Sequence, residues 1–345
     1  MSSLTKLVAP YAHLHARPAG PGDARPTALQ IIEDESLVDS WPDRVIIVTG
    51  ASSGIGLETA RALYATGATV YLAVRSQSKG EKAKASILKN SSAQGQIRIL
   101  EVSLDDCASV REAVATFLAQ SDRLDILINN AGVTTETFQT TIDGFELQFG
   151  TNHLGHFLLT SLLLPTIVKS ATPNRASRII NVASASHNMY ADSQIDLTDI
   201  DWSKRGYDPL KAYGAAKTAN ILHANYLNRL YGSDPENPVH ALSLHPGAIM
   251  TALLASSSKE AQATFEMYRD FFKSPEQGAA TTIWCATAKQ LEGKGGLYCE
   301  DCGLAEPAKI IDGERRRDAG YAPWAQGDYA AEEALWKLST KLVGL

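Results

Sequence analysis

Two tyrosine–x–x–x–lysine pairs, Tyr207–Lys211 and Tyr213–Lys217, are the side chains of this 345-residue sequence best suited to moving a proton. A free phenol has a pKa of about 10, so it must be tuned before it can work near neutrality. An ammonium group nearby favours the phenolate, and i, i+4 spacing places both groups on one helical face. The two pairs are not equivalent. Pro209 sits inside the first, where it removes a helix donor and pushes Asp208 away from helical geometry. The second continues into Thr218-Ala-Asn-Ile-Leu-His-Ala-Asn-Tyr-Leu, an unbroken helix former. Tyr213 is therefore the expected proton-transferring residue.

The other chemistry-bearing stretch is made of backbone. Thr49-Gly50-Ala51-Ser52-Ser53-Gly54-Ile55-Gly56 follows the apolar run Arg44-Val-Ile-Ile-Val-Thr49 and precedes a helical pattern. Gly50 permits a tight turn, Gly54 lets the main chain approach a pyrophosphate, and Gly56 lets the helix pack on the strand. The helix N-terminus then offers free N–H groups to phosphate. Cys299-x-x-Cys302 has no second ligand pair for zinc and reads as structural. His153, His156, His187 and His245 show no ligand spacing and read the same way.

Positioning these residues requires a sheet. Strand-like runs at 44–49, 69–74, 97–102, 124–128, 177–182 and 239–244 alternate with helical patterns, including 55–66 and 79–89. That alternation predicts one doubly wound parallel sheet with helices on both faces. No linker divides residues 44–300. Residues 1–43 hold five of the fourteen prolines and no sustained apolar period. They read as an extension, with one short helix within 27–37, that drapes over the domain at 44–345 or stays mobile.

The turn is spaced Thr-Gly-x-x-x-Gly-x-Gly, and it resembles that of the short-chain dehydrogenase/reductase family. Asn129-Asn-Ala-Gly132, Tyr213-Gly-Ala-Ala-Lys217 and Pro246-Gly247 follow in that family's order over about residues 44–300. The resemblance implies a Rossmann-type sheet of about seven strands in the order 3-2-1-4-5-6-7. It implies that Ser184, with Ser186 as alternate, positions a carbonyl oxygen, and that Asn152 holds a water relaying protons to Lys217. It also implies a nicotinamide dinucleotide held by Gly50, Ser52, Ser53, Gly54, Ile55, Gly56, Asn129, Ala131, Gly132, Tyr213, Lys217, Pro246, Gly247, Ile249 and Thr251. The third strand departs from the family by offering Ser103 where an aspartate usually contacts adenine. At the end of the second strand stands Arg75, and no acid to bind a ribose hydroxyl, so NADP(H) is the expected cofactor.

Within the family, Asn152-His-Leu-Gly-His-Phe-Leu-Leu-Thr160, the 29-residue step from Ser184 to Tyr213 and Pro275-Glu-Gln-Gly-Ala-Ala-Thr-Thr282 resemble the retinol-dehydrogenase and WW-domain-oxidoreductase branch. Neither a membrane anchor nor a WW module is legible in residues 1–43, and the sequence is similar to fungal secondary-metabolism enzymes. The resemblance implies a homodimer through helices at about 147–170 and 210–231. Residues 252–274, with Phe265, Met267, Tyr268, Phe271 and Phe272, form either a lid over a hydrophobic small-molecule substrate or an amphipathic helix on the core.

A net charge of −6 argues against a nucleic-acid partner. Four cysteines, and no apolar run long enough for a bilayer, favour a cytoplasmic protein. The expected reaction is hydride transfer between NADP(H) and a carbonyl or secondary alcohol. Reduction of a C=C bond, oxidation of a cyclic intermediate, or a non-catalytic NADP(H)-binding scaffold are the alternatives.

Overall fold

Val45–Thr49 (β1) is buried over four of its five residues, which a strand tolerates only when both faces of its sheet are covered. The computed structural model describes residues 9–89, 91–189, 195–249, 268–311, 314–315 and 319–345. Beside β1 lie Thr69–Val74 (β2), Gln96–Glu101 (β3), Ile126–Asn129 (β4), Ser177–Val182 (β5), Val239–His245 (β6) and Leu297–Glu300 (β7). All pair in parallel, in the order 3-2-1-4-5-6-7. An eighth strand, Gly303–Leu304 (β8), returns antiparallel along β7. Its turn places Asp301 and Cys302 at φ 52° and 56°, the left-handed pair that a two-residue hairpin requires. This strand is too short to announce itself by alternation.

One face of the sheet is covered by Ala28–Asp34 (α1), Gly54–Tyr64 (α2), Gln77–Leu88 (α3) and Ala280–Thr287 (α7), around the fully buried Trp284. On the other lie Cys107–Leu118 (α4), Gly155–Ser170 (α5), Pro209–Tyr231 (α6) and Tyr329–Leu342 (α8), around Phe117 and Phe157. Asp208 caps α6, its carboxylate accepting from the Leu210 and Lys211 N–H groups, and Pro209 takes the first turn, where its missing donor costs nothing. Tyr207 is thereby left outside the helix, its hydroxyl donating to Glu146 at 2.9 Å. The helix expected over 147–170 is interrupted by a π turn at Gly150–Leu154, which carries Asn152.

Residues 9–43 pack on the sheet domain. Thr27 caps α1, whose Ile31 and Ile32 are fully buried. Arg25 is 4% exposed and donates to the carbonyl oxygens of Gly20, Phe271 and Phe272 and to the Asp23 carboxylate. Gln277 reaches back to Asp23 and to the Arg25 carbonyl. Of the expected lid, Phe265 and Met267 lie outside the described residues; Phe271 is exposed and Phe272 buried.

Helix α8 covers the faces of α5 and α6 through which a homodimer was expected. Trp336 stacks on Tyr226 at 4.8 Å and meets Phe157 edge-on at 4.9 Å. Ser339 bonds His153 at 2.8 Å, and Arg229 pairs with Glu332 at 3.2 Å. Among the described residues no helix is long and apolar enough to cross a membrane.

Arg25→Ala removes the guanidinium from the Asp23 carboxylate, which keeps the Ala19 and Gln277 donors, and from the carbonyls of Gly20, Phe271 and Phe272. It is expected to lower the unfolding free energy by about 3 kcal/mol in urea titration. A loss below roughly 0.5 kcal/mol, the size of an ordinary surface substitution, would show that the extension rests on the fold without supporting it.

Candidate active site

The C-terminal ends of β1, β4, β5 and β6 bring the singled-out residues to one edge of the sheet. Gly50 and Gly54 adopt φ of 68° and 55°. A Cβ on Gly56 would strike the Gly50 carbonyl and stand 2.5 Å from Asn130 Nδ2. Ser53 caps α2 without a side-chain bond to it, so the first N–H groups of the helix remain available to an anion. Ser52 and Ile55 are half-buried beside it. This cradle fits a dinucleotide pyrophosphate, because only bare backbone fills it.

The rest of the binding set is more varied. Arg75 is exposed just beyond β2 and makes no ion pair among the described residues. Ser103 donates its hydroxyl hydrogen to Asp105, so a carboxylate stands two residues from the position where the family's acid was missing. Ala131 donates its N–H to Thr49 Oγ1 at 3.0 Å. Asn129 departs from expectation, for its side chain is buried between β5 and α5, donating to Asn181 and Thr160. Only its backbone could meet a cofactor. Asn130 does more, donating from Nδ2 to the Thr49 carbonyl at 2.8 Å and wedging against Gly56. Gly132 is exposed, and a Cβ there would lie 3.4 Å from Asn152 Oδ1 and 3.5 Å from Lys217 Nζ. Pro246 is buried; Gly247 holds φ at 103°, and Ile249 packs on Gly278 beside Ile55. Thr251 lies outside the described residues.

Tyr213 and Lys217 share a face of α6, with the Lys217 nitrogen 5.5 Å from the Tyr213 ring centroid. The electrostatics differ from the simple expectation. Lys217 is 3% exposed, its ammonium donates to the Val182 carbonyl at 2.9 Å, and burial lowers its pKa to about 8. Burial raises the Tyr213 phenol to about 12, against the opposing effect of its hydrogen bond with Ser184. Desolvation thus outweighs the help that a neighbouring cation was expected to give.

Ser184 follows β5, and its hydroxyl accepts from the Ser186 N–H at 3.2 Å. Two histidines grip the peptides around it. His187 Nδ1 lies 2.7 Å from the Ser184 carbonyl, and the Ala185 N–H donates to His245 Nδ1 at 3.2 Å. Burial pushes these imidazoles down to about 4 and about 3, so they grip as neutral rings. Asn152 gives one bond from each amide atom to the Val133 backbone, at 2.8 Å and 3.0 Å, which leaves one N–H and one lone pair of its side chain for a further partner. The bonds of His245 to Ala185 and of Asn152 to Val133 have no sequence signature, because the residues joined lie far apart in the chain.

A hydroxyl, a phenol and a buried amine thus meet beside a backbone cradle for phosphate. That set can hydrogen-bond a carbonyl or alcohol oxygen and exchange a proton with it. Cys299 and Cys302 are buried free thiols, and the described residues contain no cluster of metal ligands.

A family model described as short chain dehydrogenase matches residues 44–195. The short-chain dehydrogenase/reductase prx1 of Penicillium roqueforti is 44% identical over 338 residues, covering 97% of this chain and 95% of that protein. Retinol dehydrogenase 12 of Mus musculus is 38% identical over 305 residues, 88% of this chain and 87% of its own. A crystal structure of an uncharacterised protein from Mycobacterium paratuberculosis superposes with a TM-score of 0.65 at 33% identity, covering 90% of this chain and 97% of that one.

The Lys217 shift carries a stability signature. Between pH 8 and its usual 10.5 only the unfolded chain keeps the lysine proton, so the fold gains stability as pH rises through that window. Lys217→Met removes this dependence. The stability of the variant relative to wild type should be greatest at or below pH 8 and fall by up to about 3 kcal/mol towards pH 10.5. A difference that stays constant across thermal melts in that range would place the ammonium in a water-like environment.

Proposed function

This chain belongs to the short-chain dehydrogenase/reductase family, and we propose that it moves a hydride between NADP(H) and a carbonyl or secondary alcohol of a hydrophobic small molecule. The observation that carries this reading is the meeting of Ser184, Tyr213 and Lys217 beside the glycine turn. Bound nicotinamide supplies or accepts the hydride. Ser184 Oγ donates to the substrate oxygen and orients it. Tyr213 Oη, hydrogen-bonded with Ser184, gives that oxygen a proton in reduction and takes one in oxidation. Lys217 lies deep enough to reach the nicotinamide ribose and biases the phenol once its ammonium is drawn towards it.

The backbone of Gly50, Gly54 and Gly56 takes the pyrophosphate, with Ser52, Ser53 and Ile55 beside it. The peptides of Asn129, Ala131 and Gly132 line the far wall, and Ser103 with Asp105 meets adenine. Pro246, Gly247, Ile249 and Thr251 hold the nicotinamide end. Arg75 pairs with the ribose 2′-phosphate, because its guanidinium is exposed and makes no ion pair among the described residues, where an acid would otherwise select NAD. Similarity to retinol dehydrogenase 12, named for an apolar alcohol, supports a hydrophobic substrate, and similarity to a Penicillium short-chain dehydrogenase/reductase fits the fungal secondary metabolism that the sequence suggests. Residues 44–345 are the catalytic domain in this reading, and 1–43 are its extension, packed on it over residues 9–43. A homodimer through α5 and α6 would form beside α8, which packs on both helices.

Tyr213→Phe is expected to lower kcat by about 10²–10⁴-fold with a panel of hydrophobic ketones that includes phenanthrenequinone. Its Kd for NADPH, read by nicotinamide fluorescence, should change by less than about threefold, since the lost proton transfer acts only in the transition state. Substantial turnover by this variant would overturn the assignment. Arg75→Asp should cut kcat/KM for NADPH by about 10–100-fold while sparing NADH, the size of a lost charged hydrogen bond. Undiminished NADPH preference would remove Arg75 from the site.

A further inference from the structure

His156 is 2% exposed in the first turn of α5, and both of its ring nitrogens are bonded. Nδ1 lies 3.0 Å from the peptide oxygen of Asn152, and Nε2 lies 2.8 Å from Thr49 Oγ1. A carbonyl can only accept, so the ring hydrogen sits on Nδ1. Burial pushes this imidazole down to about 4, which leaves Nε2 bare near neutrality and able to accept. Thr49 Oγ1 lies closer to that nitrogen, at 2.8 Å, than to the Ile128 carbonyl, at 3.3 Å, so the hydroxyl hydrogen is assigned to the imidazole. Thr49 Oγ1 in turn accepts the N–H groups of Asn130 and Ala131, at 2.9 Å and 3.0 Å.

The hydrogen bonds therefore run in one direction. They start at the peptides following β4, pass through the Thr49 hydroxyl and the imidazole, and end on the Asn152 carbonyl. The near end is the wall of the glycine turn, where Asn130 also holds the Thr49 carbonyl and touches Gly56. The far end is the π turn whose Asn152 side chain lies across Gly132 from Lys217. A core histidine that merely filled space would need neither bond, and phenylalanine would fill the same space.

We propose that His156 is a positioning residue that locks the Asn152 peptide to the glycine turn, so that cofactor seated in the turn is felt at Asn152 and Lys217. The proposal rests on the reading of that turn as the NADP(H) cradle. Its sequence signal is the second histidine of Asn152-His-Leu-Gly-His156, which lies one helical turn past the asparagine.

The test uses the full chain with ¹⁵N-labelled histidine rings, the His156 signals being assigned by their loss in His156→Gln. The neutral ring should carry its hydrogen on Nδ1, and NADPH should shift the bare Nε2 resonance; Thr49→Val should abolish that shift, whereas Thr49→Ser keeps it. A hydrogen on Nε2, or a resonance indifferent to both NADPH and Thr49→Val, overturns the proposal. With NADPH and phenanthrenequinone, His156→Phe should lose about tenfold or more in kcat while its NADPH Kd stays within about threefold. His156→Gln, whose amide again offers one donor and one acceptor, should recover most of the loss. Equal losses in both variants, or a kcat loss matched by the Kd, would mark His156 as packing alone. Failure of the wild-type chain to bind NADPH defeats the functional reading instead, and the ring tautomer then still decides whether the link exists.

Discussion

No side chain fits at Gly56, because the Gly50 carbonyl and the Asn130 amide already occupy the space a Cβ would take. That close approach sets the distance between α2 and the ends of β1 and β4, and much of the site follows from it. The helix can present its N–H groups to a phosphate only if it begins hard against the strand. Asn130 can brace the Thr49 carbonyl only if the turn is this tight. Thr49 in turn meets His156, and His156 meets Asn152. A backbone contact that resists dilation thus serves as the reference point for side chains on α5 and α6.

The sheet and the tyrosine were legible because their determinants are local. Apolar runs of strand length gave six of the seven parallel strands, the seventh coming only from the family resemblance, and a single proline separated Tyr213 from Tyr207 by fixing where α6 begins. The glycine turn was legible for the same reason. What escaped reading depends on residues distant in sequence or on elements too short to show a period. Asn129 belongs to the family's motif, yet its side chain points into the sheet, where Asn181 and Thr160 receive it. The π turn, the eighth strand and the histidines around Ser184 carry no periodicity of their own. The pKa argument went astray in an instructive way. Spacing puts an amine near a phenol, but burial acts on both groups and here it is the larger effect.

Composition misled only mildly at the N-terminus. Proline and glycine signal irregular backbone, and irregular backbone need not be loose. Arg25 gathers carbonyls from two distant segments, something a planar guanidinium does well because its donors are fixed in one fork. The residues returning to the core after position 267 are held by the chain's own beginning. Order there comes from polar saturation more than from apolar area.

Helix α8 has a consequence for concentration. The helix that carries Tyr213 and Lys217 receives its backing from Trp336 and Leu335 of the same polypeptide. Support of that kind is unimolecular, and no mass-action term links it to the number of molecules present. Where a site braced by a neighbour loosens as a solution is thinned, this one keeps its scaffold in a single copy, however sparse the chain becomes in the cell that makes it.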